Sequence, residues 1–151
     1  MRQEPEHIPD LTIEFKARPE FLAVLRGFVR CFTKHLNLTP EEALQLEICV
    51  DEACANSIEH SLAHNSEPFE ARIKIELHVL PDHLHLTVQD QGQDFSNHFD
   101  KALPLSDFSD RTRMRGYGLQ IIKTLMDDVH YHYDPSLGNR LCLIKYFKSG
   151  L

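Results

Sequence analysis

The segment DEACANSIEH, residues 51–60, lies inside a long stretch whose apolar residues recur with helical spacing. Glu52 and Asn56 are four residues apart, so a helix places both side chains on one face. Their neighbours are mostly small or apolar, which is typical of a helix that packs against a core. An acid and an amide on such a helix need groups to bind. The other polar segments of the chain indicate what this face of the helix contacts.

The chain has 151 residues, about the size of one domain, and we expect a single domain spanning residues 1–151. Its hydrophobic fraction of 42% and charged fraction of 26% are ordinary for a globular protein. No apolar run approaches the roughly 20 residues of a membrane span. The first ten residues do not resemble a signal peptide. We therefore expect a soluble, cytoplasmic protein that does not bind membranes.

The net charge is −7, which repels a phosphate backbone, so we expect no direct nucleic-acid binding. The four cysteines lie in apolar or periodic segments and are interpreted as free thiols in a reducing compartment. The possible metal ligands in this part of the chain are Cys49, Cys54, His60 and His64. Because Cys49 and Cys54 point about 140° apart on a helix, a zinc site is not favoured.

The hydrophobic periodicity predicts strands at 11–17, 73–79, 84–88, 129–133 and 141–147, and helices at 19–37, 39–66 and 118–126. Thr39, Pro40 and Glu42 together indicate the start of the second helix, because a Thr N-cap followed three residues later by an acid forms a capping box. Helices and hairpins in this order predict an α+β fold, a two-layer sandwich of a mostly antiparallel sheet with helices on one face.

Two details of this assignment are specific enough to be tested by a structure. The apolar side of the second helix is predicted to comprise Leu44, Ile48, Cys49, Ala55, Ile58 and Leu62. Residues 91–115 show neither the helical nor the strand periodicity of apolar residues. A stretch of that length within a compact domain is interpreted as a functional lid.

Two further segments carry polar or glycine-rich patterns. Asp90-Gln91-Gly92 places an acid at the end of a predicted strand, followed by a glycine that allows close approach of a ligand or another backbone. Arg115-Gly116-Tyr117-Gly118-Leu119 places two glycines before a helix, where backbone N–H groups and the helix dipole can face an anion. Each motif alone is weak, because short glycine motifs recur by chance.

The order of these three segments resembles the N box and the two glycine boxes of the GHKL ATPase superfamily, which includes gyrase and histidine kinases. Within it, VDEACANSIEHSL and RGYGLQIIKTLMDDV look most like the anti-sigma-factor serine kinases. The resemblance covers about residues 10–147 and implies the Bergerat-type ATP-binding fold. Histidine kinases usually carry this domain behind a dimerisation helix pair, for which the chain has no room, so the resemblance favours a stand-alone kinase.

The resemblance also implies roles for individual residues. Asn56 would give its amide oxygen to Mg²⁺ on the ATP phosphates, and Glu52 would accept the proton of the attacking hydroxyl. Asp90 would accept a hydrogen bond from the adenine amino group, which guanine lacks at that position, and Gly92 would leave space for the base. The phosphates would contact the second glycine box, namely Arg115, Gly116, Gly118 and Leu119, with Arg111 or Arg113 as alternative sources of positive charge.

The implied protein is an ATP- and Mg²⁺-dependent protein serine/threonine kinase that acts as an anti-sigma factor. Its partners would be a sigma factor and a small antagonist protein that it phosphorylates, and it would be a homodimer. One departure is Asp94, which stands where many relatives have a second glycine and adds a carboxylate near the nucleotide. Two alternatives therefore remain: a nucleotide-binding interaction module without phosphotransfer, and a detached histidine-kinase catalytic domain.

Two minor assignments complete the sequence analysis. His60 lies one turn after Asn56 and can extend the polar face of the helix, although a structural role is more common for such a histidine. Tyr131, Tyr133, Tyr146 and Phe147 are interpreted as sheet packing, because no basic cluster accompanies them.

Overall fold

The computed structural model describes residues 8–64, 70–102 and 117–148, with the His64 side chain excepted. Five strands form one antiparallel sheet in the order β1-β2-β3-β5-β4, and helices pack on one side of it. The elements in chain order are β1 (Leu11–Lys16), α1 (Phe21–Thr33), α2 (Pro40–His64), β2 (Arg72–Val79), β3 (His83–Asp90), α3 (Ser96–Lys101), α4 (Gly118–Leu125), β4 (Asp128–Asp134) and β5 (Gly138–Tyr146). The predicted α+β sandwich is confirmed.

The core lies between the sheet and the helices. Its most deeply buried side chains come from α2, the central strands and α4: Leu46, Cys49, Val50, Ile73, Ile75, Leu77, Leu84, Leu86, Val88, Ile122 and Leu143. Alternate residues of β2 and β3 supply most of this set, because successive side chains of a strand point to opposite faces. In the part of the chain that the structure describes, no helix has the length and apolar character to cross a membrane.

Helix α2 begins with the predicted capping box. The Thr39 hydroxyl accepts a hydrogen bond from the Glu42 N–H at 3.2 Å, and the Glu42 carboxylate accepts one from the Thr39 N–H at 2.8 Å. Both backbone donors would otherwise lack a partner at the helix start. The bond from Thr39 keeps the pKa of the buried Glu42 carboxyl below its ordinary value.

The predicted apolar side of α2 is wrong in part. Leu44, Ile48 and Leu62 are 56%, 37% and 41% exposed, whereas Cys49 and Ile58 are buried as predicted. The buried face instead includes Leu46, Val50, Ala53 and Cys54. Apolar residues lie on several sides of this helix, so their spacing alone does not identify the side that meets the sheet.

Two helix predictions also need correction. Helix α1 ends at Thr33, four residues before the predicted end, because the chain then tightens into turns in which His35 and Leu36 donate to Phe32 and Thr33. Residues 91–115 are not without structure, since α3 occupies six of them. The remainder of the predicted lid, from residue 103 onward, lies outside the described residues.

A buried lysine fixes the far end of α4. The Lys145 ammonium donates to the Leu125 carbonyl at 3.0 Å and to Gln45 Oε1 at 3.1 Å, and it lies 3.5 Å from Asp127 Oδ1. A cation at a helix C-terminus complements the negative end of the helix dipole. Lys145 therefore joins α4 to α2 and to the sheet, and it constrains where α4 begins.

We expect Thr39→Ala to lower the free energy of unfolding by about 1 kcal/mol, because the Glu42 N–H loses its acceptor. Urea denaturation measures this difference. Thr39→Ser keeps a hydroxyl and should retain most of the stability. Equal urea midpoints for the Ala variant and the wild type would contradict a stabilising capping box.

Candidate active site

A cavity opens between α2, α4 and the ends of the central strands, with about 390 Å³ of empty space that includes its open mouth. Most of its lining surface is apolar, although six of the eleven described residues that line it carry polar groups: Ala53, Asn56, Ser57, His60, Val88, Asp90, Phe95, Leu119, Tyr131, Asn139 and Leu141. Three of the predicted site residues, Asn56, Asp90 and Leu119, therefore line one cavity.

Asp90 is the last residue of β3, and only 6% of its surface is exposed. Its Oδ1 accepts two hydrogen bonds at 2.8 Å, from the Gly92 N–H and from Asn139 Nδ2. Within the described residues, Oδ2 has no hydrogen-bond partner. Oδ2 is therefore the oxygen of this carboxylate that is available to accept a hydrogen bond from a ligand in the cavity.

Glycine is needed at two positions around Asp90. A Cβ on Gly92 would lie 2.6 Å from His60 Nδ1 and 2.9 Å from Asp90 Oδ1. Gly138 has a φ of +85°, and a Cβ there would lie 2.1 Å from the Asp90 carbonyl oxygen. The turn before β5 thus requires glycine for both conformation and space, and it keeps β5 close to Asp90.

The polar face of α2 meets the start of α4. A Cβ on Gly118 would lie 2.8 Å from Glu52 Oε2, 3.0 Å from Asn56 Nδ2 and 3.3 Å from Asn56 Oδ1. The second glycine box therefore packs directly on the acid and amide of the first motif. This contact brings Glu52, Asn56 and the N-terminus of α4 together beside the cavity.

The side chains of Glu52 and Asn56 make no hydrogen bond within the described parts of the chain. Burial, with a smaller contribution from the charge of Asp51, raises the pKa of the Glu52 carboxyl above its ordinary value. A partly buried carboxylate with a raised pKa is suited to take a proton, and an amide oxygen is a suitable ligand for a hard cation. Both groups are available to a ligand at the mouth of the cavity.

The remaining predicted site residues divide into two groups. Leu119 is 8% exposed and contributes apolar surface to the cavity. Arg115 and Gly116, together with Arg111 and Arg113, lie outside the described residues.

Several residues of the cavity were missed by the sequence analysis. The interpretation of Tyr131 as sheet packing alone is wrong, because it lines the cavity and its hydroxyl donates to Asn139 Oδ1. Asn139 was not predicted at all. Its position directly after Gly138, at the start of a strand that pairs with the strand ending in Asp90, is the signal that could have identified it.

Asp94 is engaged by its own loop and does not line the cavity. Its Oδ1 accepts from the Ser96 N–H at 2.9 Å and lies 3.2 Å from the Tyr131 hydroxyl. The bond from Ser96 lowers the pKa of the exposed Asp94 carboxyl. The extra carboxylate of the first glycine box thus fixes the start of α3.

Helix α3 is attached to the site at both of its ends. The Phe95 N–H donates to the Tyr131 hydroxyl at 2.7 Å, and the Phe99 ring stacks on the Tyr131 ring. At the other end, Lys123 of α4 donates to the carbonyls of Phe99 and Ala102 at 2.5 and 2.8 Å. These contacts hold α3 between β4 and α4.

A family model described as the histidine kinase-like ATPase domain matches residues 15–145, most of the chain. The chain belongs to this family. The GHKL resemblance of the three polar segments is therefore confirmed.

The curated relatives of this ATPase-family chain include protein kinases. The serine-protein kinase RsbW of Bacillus licheniformis is 30% identical over 132 residues, covering 83% of this chain and 80% of the relative. The serine-protein kinase RsbW of Listeria innocua is 29% identical over 140 residues, covering 90% and 86%. The predicted protein kinase activity is thereby supported at the level of the family.

The fold of the family is also found in a solved structure. A chain in the crystal structure of the SiaB–SiaC complex from Pseudomonas aeruginosa matches with a TM-score of 0.66 and 12% identity, covering 91% of this chain and 90% of that chain. At this identity the likeness concerns the fold.

We expect Gly118→Ala to weaken nucleotide binding by about tenfold or more, because the new methyl group displaces the ends of Glu52 and Asn56. Because the methyl group also meets the side-chain ends at the start of α4, its effect on stability is followed separately. Calorimetric titration with ATP and thermal unfolding measure the two effects.

Gly27→Ala is the matched control, because a Cβ at Gly27, within α1, would have no heavy atom within 4 Å. It should leave nucleotide binding unchanged and stabilise by about 0.5–1 kcal/mol. If Gly118→Ala bound ATP as tightly as Gly27→Ala, the close contact would not matter for the site.

Proposed function

We propose that this chain is an ATP- and Mg²⁺-dependent protein serine/threonine kinase that acts as an anti-sigma factor and phosphorylates a small antagonist protein. The observation that carries the proposal is the contact of Gly118 with Glu52 and Asn56. It joins a base, an amide ligand and a helix N-terminus beside a cavity that contains Asp90. These groups suit phosphoryl transfer, because that reaction depends mainly on positioning and on charge neutralisation.

The cavity fits the base of ATP. The apolar side chains of Val88, Leu119 and Leu141 suit the faces and edges of a purine ring. Asp90 Oδ2 can accept from the adenine amino group, and this would supply the donor that the carboxylate lacks. In the same pose, guanine presents a carbonyl oxygen to the carboxylate and is repelled.

The residues also fit a magnesium ion held through a nucleotide. No group of three or more His, Cys, Asp or Glu side chains among the described residues is arranged to hold a metal ion by itself. Mg²⁺ commonly takes one or two protein oxygens and completes its shell with phosphate oxygens and water. Asn56 Oδ1 would be the protein ligand, and the bound ion would neutralise charge on the phosphates.

In the proposed reaction, the hydroxyl oxygen of a serine on the antagonist attacks the γ-phosphorus of ATP. The bond from that phosphorus to the β–γ bridging oxygen breaks, and ADP leaves with the bond's electron pair. Glu52 takes the proton of the attacking hydroxyl. The backbone N–H groups at the start of α4 face the phosphates and stabilise their charge. The phosphate-binding roles of Arg115 and Gly116 remain predictions.

Partners and assembly are inferred from the family resemblance. The serine-protein kinase relatives support a protein substrate with a serine acceptor. The sigma factor, the homodimer and the cytoplasmic location stay predictions, and sedimentation velocity of the purified chain tests the dimer.

The two alternatives are less well supported. Loss of phosphotransfer was suggested by Asp94, whose carboxylate is bound to Ser96 and is not among the residues that line the cavity. A detached histidine-kinase domain would give a phosphohistidine product, which is stable to base and labile to acid. Phosphoserine shows the opposite stability, so one treatment of the labelled product distinguishes them.

We expect the wild type to bind MgATP in preference to MgGTP, and both Asp90→Asn and Asn56→Ala to weaken ATP binding by about tenfold or more, since each removes a direct ligand contact. Isothermal titration calorimetry measures these affinities. Asn97→Ala, on the exposed surface of α3, is the control and should bind like the wild type. A folded wild type that binds no ATP at millimolar concentration would contradict the proposed function.

We expect Glu52→Gln to bind ATP but to reduce serine phosphorylation by about 10²-fold or more, because the base is lost. Glu52 must be ionised to act, so wild-type activity should fall as the pH drops through its raised pKa. This acid limb should therefore lie above pH 4.5, the ordinary value for the group. The pH profile of kcat/KM, measured with a candidate antagonist, checks both points. Full activity in Glu52→Gln would exclude this residue as the base.

A further inference from the structure

Three side chains form a hydrogen-bonded chain across the floor of the cavity. They lie on the neighbouring strands β4, β5 and β3, in the order Tyr131, Asn139 and Asp90. The Tyr131 hydroxyl donates to Asn139 Oδ1, and Asn139 Nδ2 donates to Asp90 Oδ1 at 2.8 Å. Asn139 is 5% exposed, so this chain is shielded from water.

The amide of Asn139 has no donor left for a ligand. Its two N–H groups point to Asp90 Oδ1 and to the Gln93 carbonyl, each at 2.8 Å, and its oxygen accepts from Tyr131. An amide has two donor hydrogens, and both are used here. The opposite orientation would set the amide oxygen against two acceptor oxygens. The partners thus fix which atom of Asn139 faces Asp90.

Tyr131 is itself held in place. Its hydroxyl oxygen accepts from the Phe95 N–H at 2.7 Å, and its ring stacks on Phe99 with centroids 5.4 Å apart. Burial raises the pKa of Tyr131 to about 12, so it is a neutral donor at physiological pH. Asp94 Oδ1 also lies 3.2 Å from the hydroxyl, but the contact with Asn139 is the shorter one.

We infer that Tyr131 and Asn139 are the positioning residues that set the base selectivity of this site. They hold Asp90 with Oδ2 as the acceptor, and the bonds of Asn139 use both of the N–H groups with which it could donate to a guanine oxygen. Beside Asp90 the site then offers a ligand an acceptor, which suits the amino group of adenine. This inference rests on the proposed function, because it concerns the same nucleotide site.

Tyr131→Phe is the most informative change, because it removes one oxygen and keeps the ring that packs on Phe99. The Asn139 oxygen then loses its donor, and the amide is held only by the two bonds that its N–H groups donate. Asn139 therefore fixes Asp90 less firmly, and Oδ2 is less well oriented as the acceptor for adenine. Affinity for ATP should fall and affinity for GTP should not.

The experiment measures the Kd of MgATP and of MgGTP for the wild type, Tyr131→Phe, Asn139→Ala and the double variant. We expect the ratio of GTP to ATP dissociation constants to fall by about tenfold in each single variant. The double variant should show no further loss than Asn139→Ala, because Tyr131 acts through Asn139. Tyr133→Phe, two residues along the same strand, is the matched control and should keep the wild-type ratio.

The ratio of the GTP to the ATP dissociation constant does not change when a variant is merely less well folded, because partial unfolding reduces the binding of both nucleotides equally. If the wild type prefers ATP and Tyr131→Phe keeps the ratio within twofold, this inference is overturned and the proposed function stands. Additive losses in the double variant would also overturn it, since Tyr131 would then act independently of Asn139. A folded wild type that binds neither nucleotide would reject the proposed function and this inference together.

Discussion

The close approach of α4 to α2 at Gly118 is the constraint on which the rest of the site depends. Glu52 and Asn56 occupy the space that any side chain at position 118 would need, so the start of α4 covers them with backbone alone. Backbone coverage leaves N–H groups near the acid and the amide, where an anion can meet them. The distance between two helices here decides the chemistry that the site can perform.

This contact is maintained from several directions. Helix α2 has 25 residues; one of its sides packs in the core and another lines the cavity. Lys145 fixes the opposite end of α4, and Lys123 joins α4 to α3. The floor of the cavity and the start of α4 are therefore connected through packed elements, and a shift of α4 would alter both.

The floor of the cavity depends on strand pairing more than on any single residue. Asp90 and Asn139 are direct partners in the ladder between β3 and β5, and Gly138 permits the close approach of the turn that precedes β5. Register fixes which side chains face each other across a sheet. A one-residue slip of β5 would remove Asn139 from Asp90, so the register of the sheet and the polarity of the floor are linked.

Much of this was predictable from the sequence, and the exceptions have physical reasons. The capping box, the hairpin and the three polar segments are local patterns, and the sequence analysis identified them. The exposed side of α2 was not predictable, because Leu44 and Leu46 are equally apolar and only the tertiary packing separates them. Helix α3 is too short to show a period, and Asn139 acts through a neighbour that is distant in sequence.

The cysteines have a practical consequence for spectroscopy. Cys31, on α1, is exposed, whereas Cys49, Cys54 and Cys142 are buried. Burial raises the pKa of Cys49 to about 12 and that of Cys54 further, so neither thiol forms much thiolate near neutral pH. A maleimide dye should therefore label the unmodified protein at one position. Because Cys31 does not line the cavity, a fluorophore there would leave the cavity open.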